Sequence, residues 1–202
     1  VRGPAAAARR RAMRASSLAA VALLALVATG CGAGVEHRAP QGAARGLPVS
    51  FAANHGQFAP RVRYAALGAG YELAATDAGL ELALAGQRVR IDFAGARPGS
   101  PAAAGRLPGV TNYLLGRDRR HWRTRVPTYR QVVYRDAWPG IDVALYGAGG
   151  RFEYDLRVAP GADPRAARLA FPGARPRIAR DGSLRVGPLR QLAPAAYQRR
   201  GG

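Results

Sequence analysis

The chain has 202 residues, of which 48% are hydrophobic and 31 are arginine, with no lysine; against 12 acids the formal charge is +19. That length fits one ordinary domain plus a short extra segment, and much of the apolar fraction is alanine, which releases little apolar surface on burial. Leucine, valine, phenylalanine, tyrosine and tryptophan must therefore build the core, and no GxSxG elbow, HExxH, CxxC or phosphate-binding glycine loop points to an enzyme or a cofactor.

The chain begins with a basic stretch, Arg9-Arg10-Arg11 and Arg14, followed by the ten-residue apolar run Leu18 to Val27 and the small residues Ala28-Thr29-Gly30 before Cys31. Such a run is too short for a hydrocarbon core of ~30 Å, so it reads as the h-region of an export leader over residues 1–30 rather than a membrane helix. Met13 offers a later start that would make the leader more compact. Ala28-Thr29-Gly30-Cys31 resembles a bacterial lipobox, and Cys31 is the single cysteine of the chain. It has no partner for an intramolecular disulfide, and lipidation would account for it. Residues 31–46, rich in Gly and Ala and without a period of 2 or 3.6, then read as a flexible tether.

From residue 47 to 202 the pattern is one of short alternating segments broken by Gly, Pro and Asp, which predicts an all-β, antiparallel, sandwich-like module. Val62 to Ala65, Tyr71 to Ala74, Leu80 to Leu84 and Arg88 to Phe93 alternate as half-buried strands, with Ala85-Gly86 as a hairpin turn. Residues 94–108 carry three prolines and three glycines and predict a loop or insertion. Strands are expected again at Thr128 to Tyr134, Ile141 to Tyr146, Phe152 to Val158, Arg168 to Phe171, Arg177 to Ala179 and Ser183 to Val186. Trp138-Pro139-Gly140, Gly147-Ala148-Gly149-Gly150 and a two-residue Asp181-Gly182 hairpin supply turns between them, and Pro164 to Ala167 predicts a single helical turn.

Several segments together resemble the N-terminal module of bacterial proteins with SBBP (seven-bladed β-propeller type) repeats, a domain family of unknown function. They are Phe51 to Gln57, Asn112-Tyr113-Leu114-Leu115-Gly116, Trp122-Arg123-Thr124 with Val126 to Tyr129, Pro139-Gly140-Ile141-Asp142, Glu153-Tyr154-Asp155 and Ala159 to Pro164, in that order over about residues 47–198. The resemblance implies that more β-structure usually follows this module. A chain ending at Gly202 is thus expected to be a fragment.

Five arginines precede Cys31, so 26 remain after it against 12 acids, a net charge of +14. This favours anionic surfaces, but the arginines are scattered singly and no nucleic-acid motif accompanies them. Asn54-His55-Gly56-Gln57 has a structural reading as a hydrogen-bonded turn and a competing one with His55 as ligand. Asp142, Glu153 and Asp155 either pair with Arg135, Arg151 or Arg157 or form a hydrolytic or calcium-binding set. Trp122, Tyr129, Tyr134, Trp138, Tyr146 and Tyr154 are expected in the core or at its rim, or as a glycan-stacking platform. The favoured reading is a non-enzymatic envelope module for display, adhesion or scaffolding, anchored to a membrane through Cys31 and touching anionic or glycan polymers. A carbohydrate-binding accessory domain and a hydrolase with a carboxylate pair are the alternatives.

Overall fold

The computed structural model describes residues 19–28, 49–68, 70–97 and 99–199. The basic n-region, Met13, Cys31 and the 31–46 tether lie outside them. Fifteen strands make up the fold: β1 (Ala19–Ala28), β2 (Phe51–Ala53), β3 (Val62–Gly68), β4 (Tyr71–Thr76), β5 (Gly79–Leu84), β6 (Gln87–Ala94), β7 (Ala102–Tyr113), β8 (Arg123–Trp138), β9 (Ile141–Ala148), β10 (Arg151–Val158), β11 (Arg168–Ala170), β12 (Arg177–Ile178), β13 (Leu184–Val186), β14 (Leu189–Gln191) and β15 (Ala195–Arg199). Two one-turn 3₁₀ helices, Arg119–His121 and Pro164–Ala166, are the only helices among the described residues, the second at the predicted turn. The fold is all-β, as the period-two patterning requires.

The strands form one continuous sheet in the order β11-β6-β5-β4-β3-β2-β8-β9-β10-β1-β14-β13-β12, with β7 on β8 and β15 on β1. Its first half is a meander in which β3 to β6 pair antiparallel with their sequence neighbours. The predicted 85–86 turn joins β5 to β6, and Ala85 and Gly86 both take positive φ, 49° and 73°, as a two-residue hairpin demands. Alternation decides which face is buried: Leu80, Leu82 and Leu84 on β5 and Val89, Ile91 and Phe93 on β6 face the core, while Glu81, Arg88 and Arg90 face outward.

The sheet curls so that its two halves enclose a single core. Phe93 on β6 packs against Tyr134 and Trp138 on β8, with ring centroids 4.9 and 5.6 Å apart, although five strand pairings separate β6 from β8 in the sheet. The Tyr134 hydroxyl lies 2.9 Å from the carbonyl oxygens of both Thr76 and Gly79, to which it donates, and Trp138 donates its indole N–H to Ala94 at 3.0 Å. Both side chains are almost wholly buried, and buried Tyr and Trp remain favourable only when their polar ends find partners. Gly79 is required at its place. It has φ +146°, and a Cβ there would come within 2.1 Å of the Ile91 carbonyl oxygen.

Two expectations need correction. Residues 94–108 are not all loop, since β7 starts at Ala102 and pairs with β8 from Ala102↔Val133 to Tyr113↔Arg123. Only Gly105 and Pro108 of the residues that argue against a strand fall on β7, an exposed edge where the register shift between Arg106 and Val110 absorbs Pro108. The Asp181-Gly182 turn is longer than two residues. β12 and β13 close at Ile178↔Leu184, Gly182 N–H donates to Ala179 at 3.0 Å and Ala179 N–H to Ser183 at 2.8 Å, because Asp181 bonds Ser183 instead of sitting in a tight hairpin. The apolar run Leu18 to Val27 overlaps β1, which lies between β10 and β14 in the sheet.

Replacing Tyr134 by Phe removes the donor shared by two buried carbonyls and is expected to cost about 1–2 kcal/mol; Trp138→Ala, which also opens a cavity, is expected to cost about 3–5 kcal/mol. Urea denaturation followed by tryptophan fluorescence for the first and circular dichroism for both measures the two losses, and equal midpoints for wild type and Trp138→Ala would contradict this account of the core.

Candidate functional site

The Asn54 to Gln57 segment is a turn held by its own side chains. Asn54 donates its amide to the carbonyls of Ala59 and Val62 at 3.0 and 2.8 Å and accepts from Gly56 N–H at 2.9 Å. Gln57 donates to Ala53 at 2.6 Å and accepts from His55 N–H at 2.7 Å. Arg123 closes the loop from outside, donating to the His55 carbonyl at 2.8 Å. His55 therefore takes part through its backbone, and its exposed ring has no hydrogen-bond partner among the described residues.

The three carboxylates Asp142, Glu153 and Asp155 do share a face of β9 and β10, as strand alternation placed them. Directly opposed pairs run Asp142↔Arg157, Ala144↔Asp155 and Tyr146↔Glu153. Asp142 and Asp155 are nonetheless engaged separately. Asp142 accepts from the Asp136 backbone N–H at 2.7 Å and lies 3.6 Å from Arg135. Asp136 has φ +47° at the irregularity in β8, accepts from Gly140 N–H at 2.7 Å and pairs with Arg97. Asp142 thus holds the bulge that turns Asp136 outward between the core-facing Tyr134 and Trp138. Asp155, only 7% exposed, accepts the Tyr146 hydroxyl at 2.8 Å; burial first, and then that carboxylate, push the Tyr146 phenol well above its ordinary range. No group of three His, Cys, Asp or Glu residues suited to a metal ion occurs among the described residues.

The aromatic candidates divide in the same way. Tyr134, Trp138 and Tyr154 are buried, and Tyr129 packs edge-on against Tyr64 at 6.0 Å. Trp122 donates its indole N–H to Gly116 at 3.1 Å and carries the Arg119 guanidinium 5.3 Å from its ring centre. A groove of about 510 Å³ crosses the outer face of β3 to β6, floored by Ala65, Ala74 and Ala83 and walled by Arg61, Glu81 and Arg88. There Arg61 and Glu81 satisfy each other at 2.9 Å, and the hydrogen bond from Arg61 holds the Glu81 carboxyl below its usual range.

A different feature stands out on the C-terminal meander. Arg177, Arg185 and Arg190 are directly opposed across β12, β13 and β14, in the pairs Arg177↔Arg185 and Arg185↔Arg190. Their strands bury Val186, Leu189 and Gln191 on the other face, so alternation forces the arginines outward together. Like charges directly opposed destabilise a sheet. Only Arg190 has a counter-ion among the described residues, Asp181 at 2.7 Å, and Arg177 and Arg185 stand exposed. The row is a ready site for an anionic group. Sequence reading saw these arginines as scattered because their separations in the chain carry no sign that the three residues are cross-strand neighbours.

The sequence profile of one family, described as a domain of unknown function (DUF7948), matches residues 51–202. No curated protein and no solved structure matches the chain.

Asp181 anchors the row. Hydrogen bonds from the Ser183 side chain and backbone, then from Arg190, hold its carboxyl down to about 2. Because the folded state prefers the ionised form, its stabilising contribution is complete above the ordinary aspartate value of ~3.9 and is lost as pH falls through about 2. Carboxyl-carbon NMR should place the Asp181 midpoint near that value, and Ser183→Ala should move it upward; an unshifted midpoint in wild type would contradict the assigned contacts.

Proposed function

Given that the chain belongs to the DUF7948 family, we propose from its own residues that it is an exported, lipid-anchored β module with a non-enzymatic role in display, adhesion or scaffolding at the cell envelope. Cys31 provides the membrane anchor, and the exposed arginine row across β12, β13 and β14 binds anionic surface polymers. The observation that carries the reading is that row: two directly opposed, exposed guanidinium groups without counter-ions are destabilising in the free protein and gain partners only when an anion arrives. The resemblance to the N-terminal module of SBBP-repeat proteins supports a role as one unit of a larger envelope or extracellular protein.

This reading is preferred over a carbohydrate-stacking domain because the aromatic side chains that would make a platform are mostly in the core, and Trp122 already carries Arg119. It is preferred over a carboxylate-pair hydrolase because Asp142 and Asp155 are engaged in the β8 bulge and with Tyr146.

Anchoring is tested by expression in a bacterium with a fatty-acid analogue. The wild type should take up label and Cys31→Ser should not; equal labelling of both would remove the anchor.

Polymer binding is tested by titrating the protein with polyphosphate and with a neutral glycan. Arg177→Gln with Arg185→Gln should weaken polyphosphate binding roughly tenfold and flatten its salt dependence, since each removed cation deletes one ionic contact. Binding that is unchanged in the double variant, or equally strong to the neutral glycan, would sink the proposal.

A further inference from the structure

β1 has an unusual place for a segment that carries a leader pattern. It pairs with β10 from Ala20↔Val158 to Ala25↔Glu153, and on its other side with β15 from Ala19↔Arg199 to Leu23↔Ala195 and with β14 from Leu26↔Gln191 to Ala28↔Leu189. Neither β14 nor β15 is hydrogen-bonded to β10 in the sheet, so β1 alone joins the C-terminal strands to it through backbone pairing. Beside it the two sides meet through a buried hydrogen bond from the Tyr154 hydroxyl to Gln191 Oε1, at 3.0 Å. Val186 and Leu189 also reach the common core. The acceptor is therefore built on both sides.

Its chemistry can be read from β10. The core side is apolar, with Phe152, Tyr154 and Val158 buried, and asks for an apolar residue at each opposing position. The outward side presents Glu153, Asp155 and Arg157, and Asp155 is nearly buried with the Tyr146 hydroxyl as its sole hydrogen-bond donor among the described side chains. Residues directly opposed on paired strands lie on one face and interact. In β1 the positions opposite Asp155, Glu153 and Arg157 are Leu23, Ala25 and Val21. Apolar residue types thus stand in register with the charged positions of β10 as well as with its apolar ones.

We propose that the position between β10 and the β14 and β15 strands is a strand-acceptor site, opened when the leader is removed ahead of Cys31 and filled in the exported protein by an extended, amphipathic segment of another polypeptide. That segment presents apolar residues at every second position, a cation opposite Asp155 and an acid opposite Arg157. The inference rests on the leader reading, because only removal of residues 19–28 empties the site. An empty site exposes unpaired backbone groups and apolar side chains, the arrangement that recruits an added strand. A second copy of the chain is the weaker occupant: processed at the same place, it has lost the same segment.

The test uses the processed protein isolated from the membranes of an expressing bacterium, its N-terminal residue first identified by mass spectrometry. It is titrated with a synthetic peptide of alternating valine and polar residues that carries lysine opposite Asp155 and glutamate opposite Arg157, with the same peptide charge-reversed, and with a version interrupted by proline. The first peptide should bind and slow amide hydrogen exchange in Glu153 to Val158 by about tenfold or more. The charge-reversed peptide should bind about tenfold more weakly, and Asp155→Asn should reduce that difference. Should this variant fail to fold, the peptides against wild type decide alone. No binding, no protection of β10, equal binding of all three peptides, or a self-associated protein that the first peptide fails to dissociate would each overturn the proposal. Should mass spectrometry find residues 19–28 still attached, the leader reading fails instead, and the same titration after cutting at a protease site inserted between Gly32 and Gly46 decides the acceptor site on its own.

Discussion

Everything in the fold depends on how the sheet is made to close on itself. A strip of antiparallel strands has one apolar face, and that face must be covered. Here the cover is the other half of the same sheet, and the contact that closes it is made by two side chains of β8. Tyr134 and Trp138 carry large apolar rings into the space under β4 to β6 and finish with hydrogen bonds to Thr76, Gly79 and Ala94. Ring burial supplies the driving force, and the polar ends set the depth and angle at which the halves meet. The Arg97 N–H bond to the Ala137 carbonyl, 2.8 Å, adds a backbone link at the same seam.

That closure in turn requires β8 to break its alternation. In a regular strand Tyr134, Asp136 and Trp138 lie on one face, and a buried Asp136 would have to be desolvated. The left-handed residue at Asp136 turns its carboxylate outward to Gly140 and Arg97, and Asp142 from the next strand accepts the backbone N–H left over by the bulge. Asp142, one of the three acids weighed as a hydrolytic or calcium-binding set, thereby has a clear mechanical function. Asp155 has a comparable one, as acceptor for a tyrosine whose hydroxyl would otherwise be half-buried without a partner.

The outer surface obeys a different rule. Among the described residues seven arginines make ion pairs with carboxylates, for example Arg63 with Asp77 at 2.6 Å and Arg90 with Asp92 at 2.5 Å. These pairs are largely exposed, so each contributes little to stability. Their effect is to use up the few acids and leave a basic excess whose distribution follows from strand pairing. The row on β12, β13 and β14 is the place where pairing concentrates that excess, and the acidic side of β10 is where the opposite sign collects.

How much of this was legible depends on whether the information was local. Alternation is a property of consecutive residues, so the all-β class, the strands at Leu80 to Leu84, Arg88 to Phe93, Ile141 to Tyr146 and Phe152 to Val158, and the hairpin turn at Ala85-Gly86 could be read from the chain alone. So could the shared face of Glu153 and Asp155 within one strand, and the self-satisfied Asn54 to Gln57 turn. Which strand lies beside which was not legible, because antiparallel pairing is set by the curl and by burial across the core, between residues far apart in sequence. For that reason Pro108 could sit in an edge strand, three separate arginines became one row, and Asp142 became the clamp of a bulge six residues earlier. The sequence determined the faces of the strands; only the tertiary structure decided their neighbours, since a backbone donor is indifferent to the sequence of the strand that accepts from it.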